Sequence, residues 1–94
     1  MSDDQTPTPG RMVRYVLQAA DVAYITARRA ASQIGGNPVA EGMEFAAIVV
    51  RVNDDGDSPL SLNLQVFLDG QDTFWAQMIA GGYGTGQWHW PPLS

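Results

Sequence analysis

The chain has 94 residues, no cysteine and a net charge of −5, with ten acidic residues and five basic residues that are all arginine. This length predicts one domain. The missing cysteines exclude disulfides, zinc–thiolate sites and thiol catalysis, and the acidic balance argues against binding to nucleic acid or an anionic membrane. Because the chain has no apolar run of transmembrane length and no signal-peptide core, we expect it to be soluble and intracellular when made.

The first part of the chain changes from a polar segment to an alternating one. Residues 1–10 are polar and contain two prolines, which predicts a disordered N-terminal arm. Residues 12–17 alternate in character and predict a first strand. We therefore expect a single small β-barrel domain over residues 11–94.

Residues 21–34 have the apolar period of a helix. One helical stripe, which we expect to pack on the sheet, contains Ala20, Ala23, Tyr24, Ala27, Ala30, Ala31 and Ile34. The alternative is that this stripe meets another subunit. Arg28 and Arg29 are expected to form a solvated corner, and Gly35-Gly36 is expected to end the helix.

An acidic loop separates the next two predicted strands. Residues 44–52 are almost continuously apolar, which is typical of a strand covered on both faces. Residues 53–59 contain three aspartates and predict a solvated loop. A bound cation is the alternative, although a loop flanked by strands is unlike an EF-hand.

Residues 60–68 have the strongest strand pattern, because apolar residues alternate there with mostly polar ones. Phe67 interrupts the polar face; we expect a neighbouring element to pack on it, and exposure to a partner is the alternative. Asp69-Gly70 predicts a hairpin turn in which glycine accepts a positive φ. Residues 72–79 form the returning strand, whose two faces are predicted to carry Phe74, Ala76 and Met78 on one side and Thr73, Trp75, Gln77 and Ile79 on the other.

The C-terminal part is rich in glycine and tryptophan. Four glycines within residues 80–86 predict a flexible loop or tight turns, and a phosphate loop is disfavoured because no helix or lysine follows. Residues 87–90 predict a last strand that places Trp88 and Trp90 on one face. His89 is the single histidine and has no acidic neighbour in sequence, which favours a structural role over metal binding or catalysis.

These elements follow the order strand, helix and four strands. Short antiparallel strands in so small a chain favour a closed or partly closed barrel, because closure removes exposed edges. We predict a mainly β fold, specifically a small SH3-like antiparallel barrel with one short helix inserted after the first strand. An OB-like barrel is the alternative.

Two motifs, LNLQVFLDGQDTFWA at residues 62–76 and GQWHWPP at residues 86–92, resemble a family of small proteins encoded by tailed bacteriophages, especially those of actinobacteria. A looser similarity includes VRYVL, DVAYI, a Gly-Asn turn and FAAIV upstream. This resemblance implies a phage origin. The chain departs from the family pattern at Gln77-Met78, where a Thr-Ser pair is common, and it ends without a basic residue.

With that origin, we expect a non-enzymatic virion structural protein, most concretely a small head protein that decorates or cements the capsid, or a minor capsid protein. Its partner would be the major capsid protein or another virion protein, and homo-oligomers are compatible with this role. Aromatic side chains are enriched at such interfaces, and the candidate interface residues are Phe67, Trp75, Tyr83, Trp88 and Trp90. We expect no catalytic residue, metal, cofactor, nucleic acid or membrane. The alternative is a soluble phage-encoded interaction module that acts on a host factor.

Overall fold

A computed structural model describes residues 6–54, 56 and 60–92. Within these residues the elements are β1 Met12–Val16, α1 Ala19–Ser32, β2 Glu44–Asn53, β3 Ser61–Phe67, β4 Thr73–Ala80 and β5 Trp88–His89. The strands form one sheet in the order β4-β3-β2-β1-β5, and each named strand pair is antiparallel. The predicted order of elements is confirmed, and the helix lies two residues earlier than predicted.

The sheet curls until its two edges approach each other. Tyr15 on β1 and Phe74 on β4 have ring centroids 6.4 Å apart, whereas three strand spacings in a flat sheet would separate their strands by about 14 Å. At the other end of β4, Gly81 forms a parallel bridge with Trp88 of the opposite edge strand. The predicted mainly β fold is confirmed as a curled half-barrel, consistent with a small SH3-like or OB-like barrel.

The inner face of the curled sheet forms the core. Leu62, Leu64 and Val66 of β3 are completely buried, so the apolar residues of the alternating pattern lie inside. β2 differs from its prediction, because Ala47 and Val49 face the core while the residues between and after them are half-buried or exposed. The expectation that this strand is covered on both faces is therefore wrong.

The helix faces the sheet with a different side from the one predicted. Its buried residues are Asp21 and Ile25, and the alanines of the predicted stripe are exposed. Hydrogen bonds explain this orientation of the helix. The buried hydroxyl of Tyr15 donates a hydrogen bond to the Asp21 carboxylate, which also accepts one from the Gln18 N–H at 3.1 Å. Burial raises the pKa of Tyr15 far above its usual value, and the bond to Asp21 raises it further.

α1 ends before the predicted glycines. Its last residue is Ser32, and Gln33 follows in the left-handed conformation with φ of 55°. The helix is neither long enough nor apolar enough to cross a membrane, as judged over the residues that the structure describes.

The last turns of α1 are joined to the turn between β3 and β4 by ion pairs. Asp72, whose side chain is 5% exposed, accepts hydrogen bonds from Arg29 Nη2 and Nε at 2.9 and 3.0 Å and from Arg28 Nη2 at 3.1 Å. The hydrogen bonds from Arg29 hold the pKa of Asp72 below its usual value, and the single hydrogen bond from Arg28 acts in the same direction. The prediction of a solvated arginine corner is therefore wrong.

Gly70 in this turn is required by a close approach of two chain segments. It forms a bridge with Gly36, and a Cβ at Gly70 would lie 2.7 Å from the Gly36 Cα. Its φ is not positive, so the expected reason for a glycine in the hairpin is wrong. No side chain fits between the two backbones.

Part of the expected N-terminal arm contacts the domain. Pro7 is buried, and the Gly10 N–H donates a hydrogen bond to the Val49 carbonyl at 2.8 Å. Residues 6–10 therefore lie along the sheet, whereas residues 1–5 lie outside the described residues.

Asp72→Asn is expected to lower the free energy of unfolding by about 2 kcal/mol at neutral pH, because two arginines lose an ionised acceptor. Since the pKa of Asp72 is lower in the folded state, this stabilisation is present above the unfolded-state pKa of about 4 and is lost as the pH falls through the folded-state value. Urea unfolding followed by circular dichroism at neutral and acid pH should show the difference from the parent chain shrinking on acidification.

Asp69→Asn is the matched control, because Asp69 is exposed in the same turn and its carboxylate accepts a hydrogen bond from Asn37 at 2.9 Å. We expect it to cost less than about 0.5 kcal/mol. Equal losses for the two variants, or a loss for Asp72→Asn that does not change with pH, would contradict this account.

Candidate functional site

The five aromatic residues singled out in the sequence lie on two different surfaces. Tyr83, Trp88 and Trp90 line one open cleft. Phe67 and Trp75 are exposed on β3 and β4, where the sheet turns its outer face to solvent. The structure thus divides the predicted set into a sheet surface and a cleft.

The sheet surface, here called the outer apolar face, consists of Met12, Ile48, Phe67 and Trp75. The strand registers align Met12 with Ile48, Ile48 with Gln65, and Gln65 with Trp75, which places one row across β1, β2, β3 and β4. Phe67 lies two positions after Gln65 and therefore on the same face. Met12, Phe67 and Trp75 are 44%, 46% and 56% exposed.

Phe67, Met12 and Ile48 differ from what the sequence led us to expect. Phe67 is exposed, so the expected packing by a neighbouring element is wrong. The alternative, exposure to a partner, stays a prediction. Met12 and Ile48 were not singled out as interface residues. The alternation of β1 could have indicated that Met12 is exposed, because successive side chains of a strand point to opposite faces and the next residue, Val13, is buried.

A β-bulge changes which residues of β4 face outward. The register shifts between Leu62 and Leu64, and Met78 opposite has a left-handed backbone with φ of 60°. The buried Asn63 Oδ1 accepts hydrogen bonds from the Met78 N–H and from Asn53 Nδ2, both at 3.0 Å. As a result Ile79 is buried and Met78 is exposed, which is the reverse of the predicted alternation.

The second surface, here called the aromatic cleft, is lined by Tyr83, Trp88, His89 and Trp90 together with Pro7, Leu60 and Asp54. It is open to solvent and has a volume of about 500 Å³. The rings of Trp88 and Trp90 are perpendicular, with centroids 5.6 Å apart. Trp88 is buried at 8% exposure and anchors the cleft to the core, whereas Tyr83 is 81% exposed.

Tight turns hold Tyr83 in place. The Gly82 N–H donates a hydrogen bond to the Trp88 carbonyl, and the Gly84 N–H donates one to Gln87 Oε1, both at 2.8 Å. Gly82 has φ of 152°, and a Cβ there would lie 2.4 Å from Gln87 Oε1. The glycines therefore allow the loop to fold over the Gln87 side chain, in accord with the tight-turn alternative.

His89 forms the wall of the cleft behind Tyr83. Its ring stacks on that of Tyr83 with centroids 4.6 Å apart, and its Nε2 lies 3.1 Å from Glu44 Oε1. The same Glu44 oxygen lies 3.9 Å from Arg14 Nη1. No local signal in the sequence indicates this carboxylate, because Glu44 is distant in the chain and reaches β5 only through the pairing of both strands with β1.

Among the residues that the structure describes, no three His, Cys, Asp or Glu side chains are grouped to hold a metal ion. Of the acidic loop at 53–59, residues 55 and 57–59 lie outside the described part, so the cation alternative there stays untested.

Comparisons of the chain with protein-family models, with curated proteins and with solved structures find no match.

The different exposure of the tryptophans gives a direct test of these placements. Trp75→Phe should shift the remaining fluorescence to shorter wavelength and reduce quenching by acrylamide, because it removes an exposed indole. It should change the free energy of unfolding by less than about 0.5 kcal/mol. Trp88→Ala should lower that free energy by roughly 3 kcal/mol, since a buried aromatic ring is lost from the core. Stronger quenching after Trp75→Phe, or no stability loss in Trp88→Ala, would contradict the placement of these residues.

Proposed function

We propose that this chain is a non-enzymatic virion structural protein of a tailed bacteriophage, most concretely a small head protein that binds the major capsid protein. The observation that supports it is the outer apolar face, which presents Met12, Ile48, Phe67 and Trp75 on one side of the sheet. The resemblance to small phage proteins supplies the biological setting. Decoration or cementing of the capsid is the corresponding role.

The outer apolar face has the composition of an interface centre. At the centres of protein interfaces, aromatic residues and methionine are enriched and charged residues are depleted. Trp75 and Phe67 are carried by paired strands rather than by a loop, so little backbone order is lost when a partner binds. A capsid repeats one contact many times, and neighbouring contacts reinforce a modest affinity where two bound copies also touch each other.

The alternative function is a soluble phage-encoded module that binds a host factor. It would use the same face, because the physical requirement for an exposed apolar surface is the same. The two functions differ in the partner, so a binding experiment with purified capsid shells separates them.

The test is co-sedimentation of the purified chain with empty shells assembled from the major capsid protein of the phage that encodes it. The parent chain should bind saturably. The double variant Phe67→Ser/Trp75→Ser should bind at least about tenfold more weakly, because the two aromatic anchors are lost. Met43→Ser is the control: Met43 is also exposed, at 43%, but lies outside the outer apolar face, and we expect unchanged binding.

Two results would overturn the proposal in different ways. If the double variant binds shells as well as the parent chain does, the outer apolar face is not the contact surface. If the folded parent chain binds neither shells nor complete particles, the virion role is wrong. Capture of a host protein by the parent chain, lost in the double variant, would then establish the alternative.

A further inference from the structure

The aromatic cleft carries an inference that is independent of the outer apolar face. We propose that it binds a cationic side chain, an arginine guanidinium or a lysine ammonium, presented by a protein partner. The inference goes beyond the proposed function, because it concerns a different surface and names the chemistry of a ligand.

The walls of the cleft suit a cation. Tyr83, Trp88 and Trp90 contribute aromatic rings, whose faces carry negative electrostatic potential and attract an ammonium or guanidinium group. Tyr83 extends into solvent yet is held by its stacking on His89 and by the flanking glycine turns. An exposed ring in a fixed position loses little freedom on binding.

The charge of the lining also favours a cation. Asp54 supplies a carboxylate, whose Oδ1 also accepts a hydrogen bond from the Gly56 N–H at 3.1 Å, and the described lining residues include no arginine or lysine. The whole chain carries a net charge of −5, which attracts cationic partners over longer distances. An anionic ligand would be repelled by the Asp54 carboxylate and by the net negative charge of the chain.

The protein itself contains examples of the proposed contact. The guanidinium carbon of Arg11 lies 5.1 Å from the ring centroid of Trp90, and that of Arg28 lies 5.4 Å from the ring centroid of Tyr24. Arg11 is not among the residues that line the cleft. The indole of Trp90 thus accepts a guanidinium within the fold, and Trp90 also belongs to the lining of the cleft.

The remaining lining points to a side chain rather than to a small free cation. Pro7 and Leu60 add apolar surface beside the aromatic rings. Arginine and lysine have long aliphatic stems that bury against such surface while their charged heads reach a carboxylate. The open mouth of the cleft allows the backbone of the partner to stay outside.

The test uses the isotope-labelled whole chain and N-acetyl-arginine amide as the probe, followed by NMR of the tryptophan indole N–H groups. N-acetyl-citrulline amide is the neutral control probe of nearly the same shape. We expect the arginine probe to shift the signals of Trp88 and Trp90 with roughly millimolar affinity, as suits a single side chain. The citrulline probe should bind roughly fivefold more weakly.

Variants assign the binding to the cleft. Tyr83→Ala and Asp54→Asn should each weaken binding of the arginine probe by roughly threefold or more. Glu41→Gln changes the net charge by the same amount as Asp54→Asn, but Glu41 is exposed outside the cleft. The affinity of this variant for the arginine probe should therefore be unchanged. Added salt should weaken the binding of the arginine probe more than that of the citrulline probe.

Three results would overturn the inference. Equal binding of the arginine and citrulline probes would show that the cleft does not select for charge. Unshifted Trp88 and Trp90 signals at the highest soluble probe concentration would show that no such site exists. Binding of free guanidinium ion as tightly as the arginine probe would replace the side-chain ligand with a small cation. None of these results depends on whether the chain binds capsid shells.

Discussion

The fold depends on two carboxylates that fix the helix between the two sides of the curled sheet. Asp21, in the first turn of α1, accepts the hydroxyl hydrogen of Tyr15 from β1. Asp72, in the turn before β4, binds Arg28 and Arg29 in the second half of α1. Because β1 and β4 are separated by two strands in the sheet, the helix holds together parts of the sheet that do not pair directly. These polar contacts connect the two sides of the curl that encloses the core.

The curl explains why the aromatic residues divide into two groups. Where the sheet bends inward, the bridge between Gly81 and Trp88 joins the end of β4 to β5, and the aromatic cleft forms at this junction. On the outward side the same curvature presents Phe67 and Trp75 on paired strands. One surface presents apolar side chains on paired strands, whereas the other is concave and carries a carboxylate. Two such surfaces can engage different chemistry on one assembly.

The sequence predicts the features that depend on local periodicity. The alternation that buries Leu62, Leu64 and Val66 is a property of neighbouring residues, and the structure confirms it. The rotation of the helix is not predictable in this way, because Asp21 is buried by a hydrogen bond to a tyrosine on another element. The alanine positions alone predicted that the wrong face of the helix packs on the sheet.

The sequence supplied aromatic candidates for an interface but not their arrangement in space. Aromatic content identified Phe67, Trp75, Tyr83, Trp88 and Trp90, yet only the strand registers and the closure of the sheet show which of them lie together. The bulge that turns one residue of β4 outward rests on a buried asparagine carboxamide from β3. Such contacts between distant residues have no local signature, and they decide which side chains a partner meets.

Quantitative mass spectrometry of purified particles is the direct test of the proposed virion role. Under the proposed function a phage encodes this chain; that phage would be grown, and its particles separated from host lysate, before the chain is measured against the major capsid protein. The account predicts that the chain is present in a fixed, reproducible ratio to the major capsid protein in complete particles. Absence from particles, together with abundance in infected cells, would contradict the virion role.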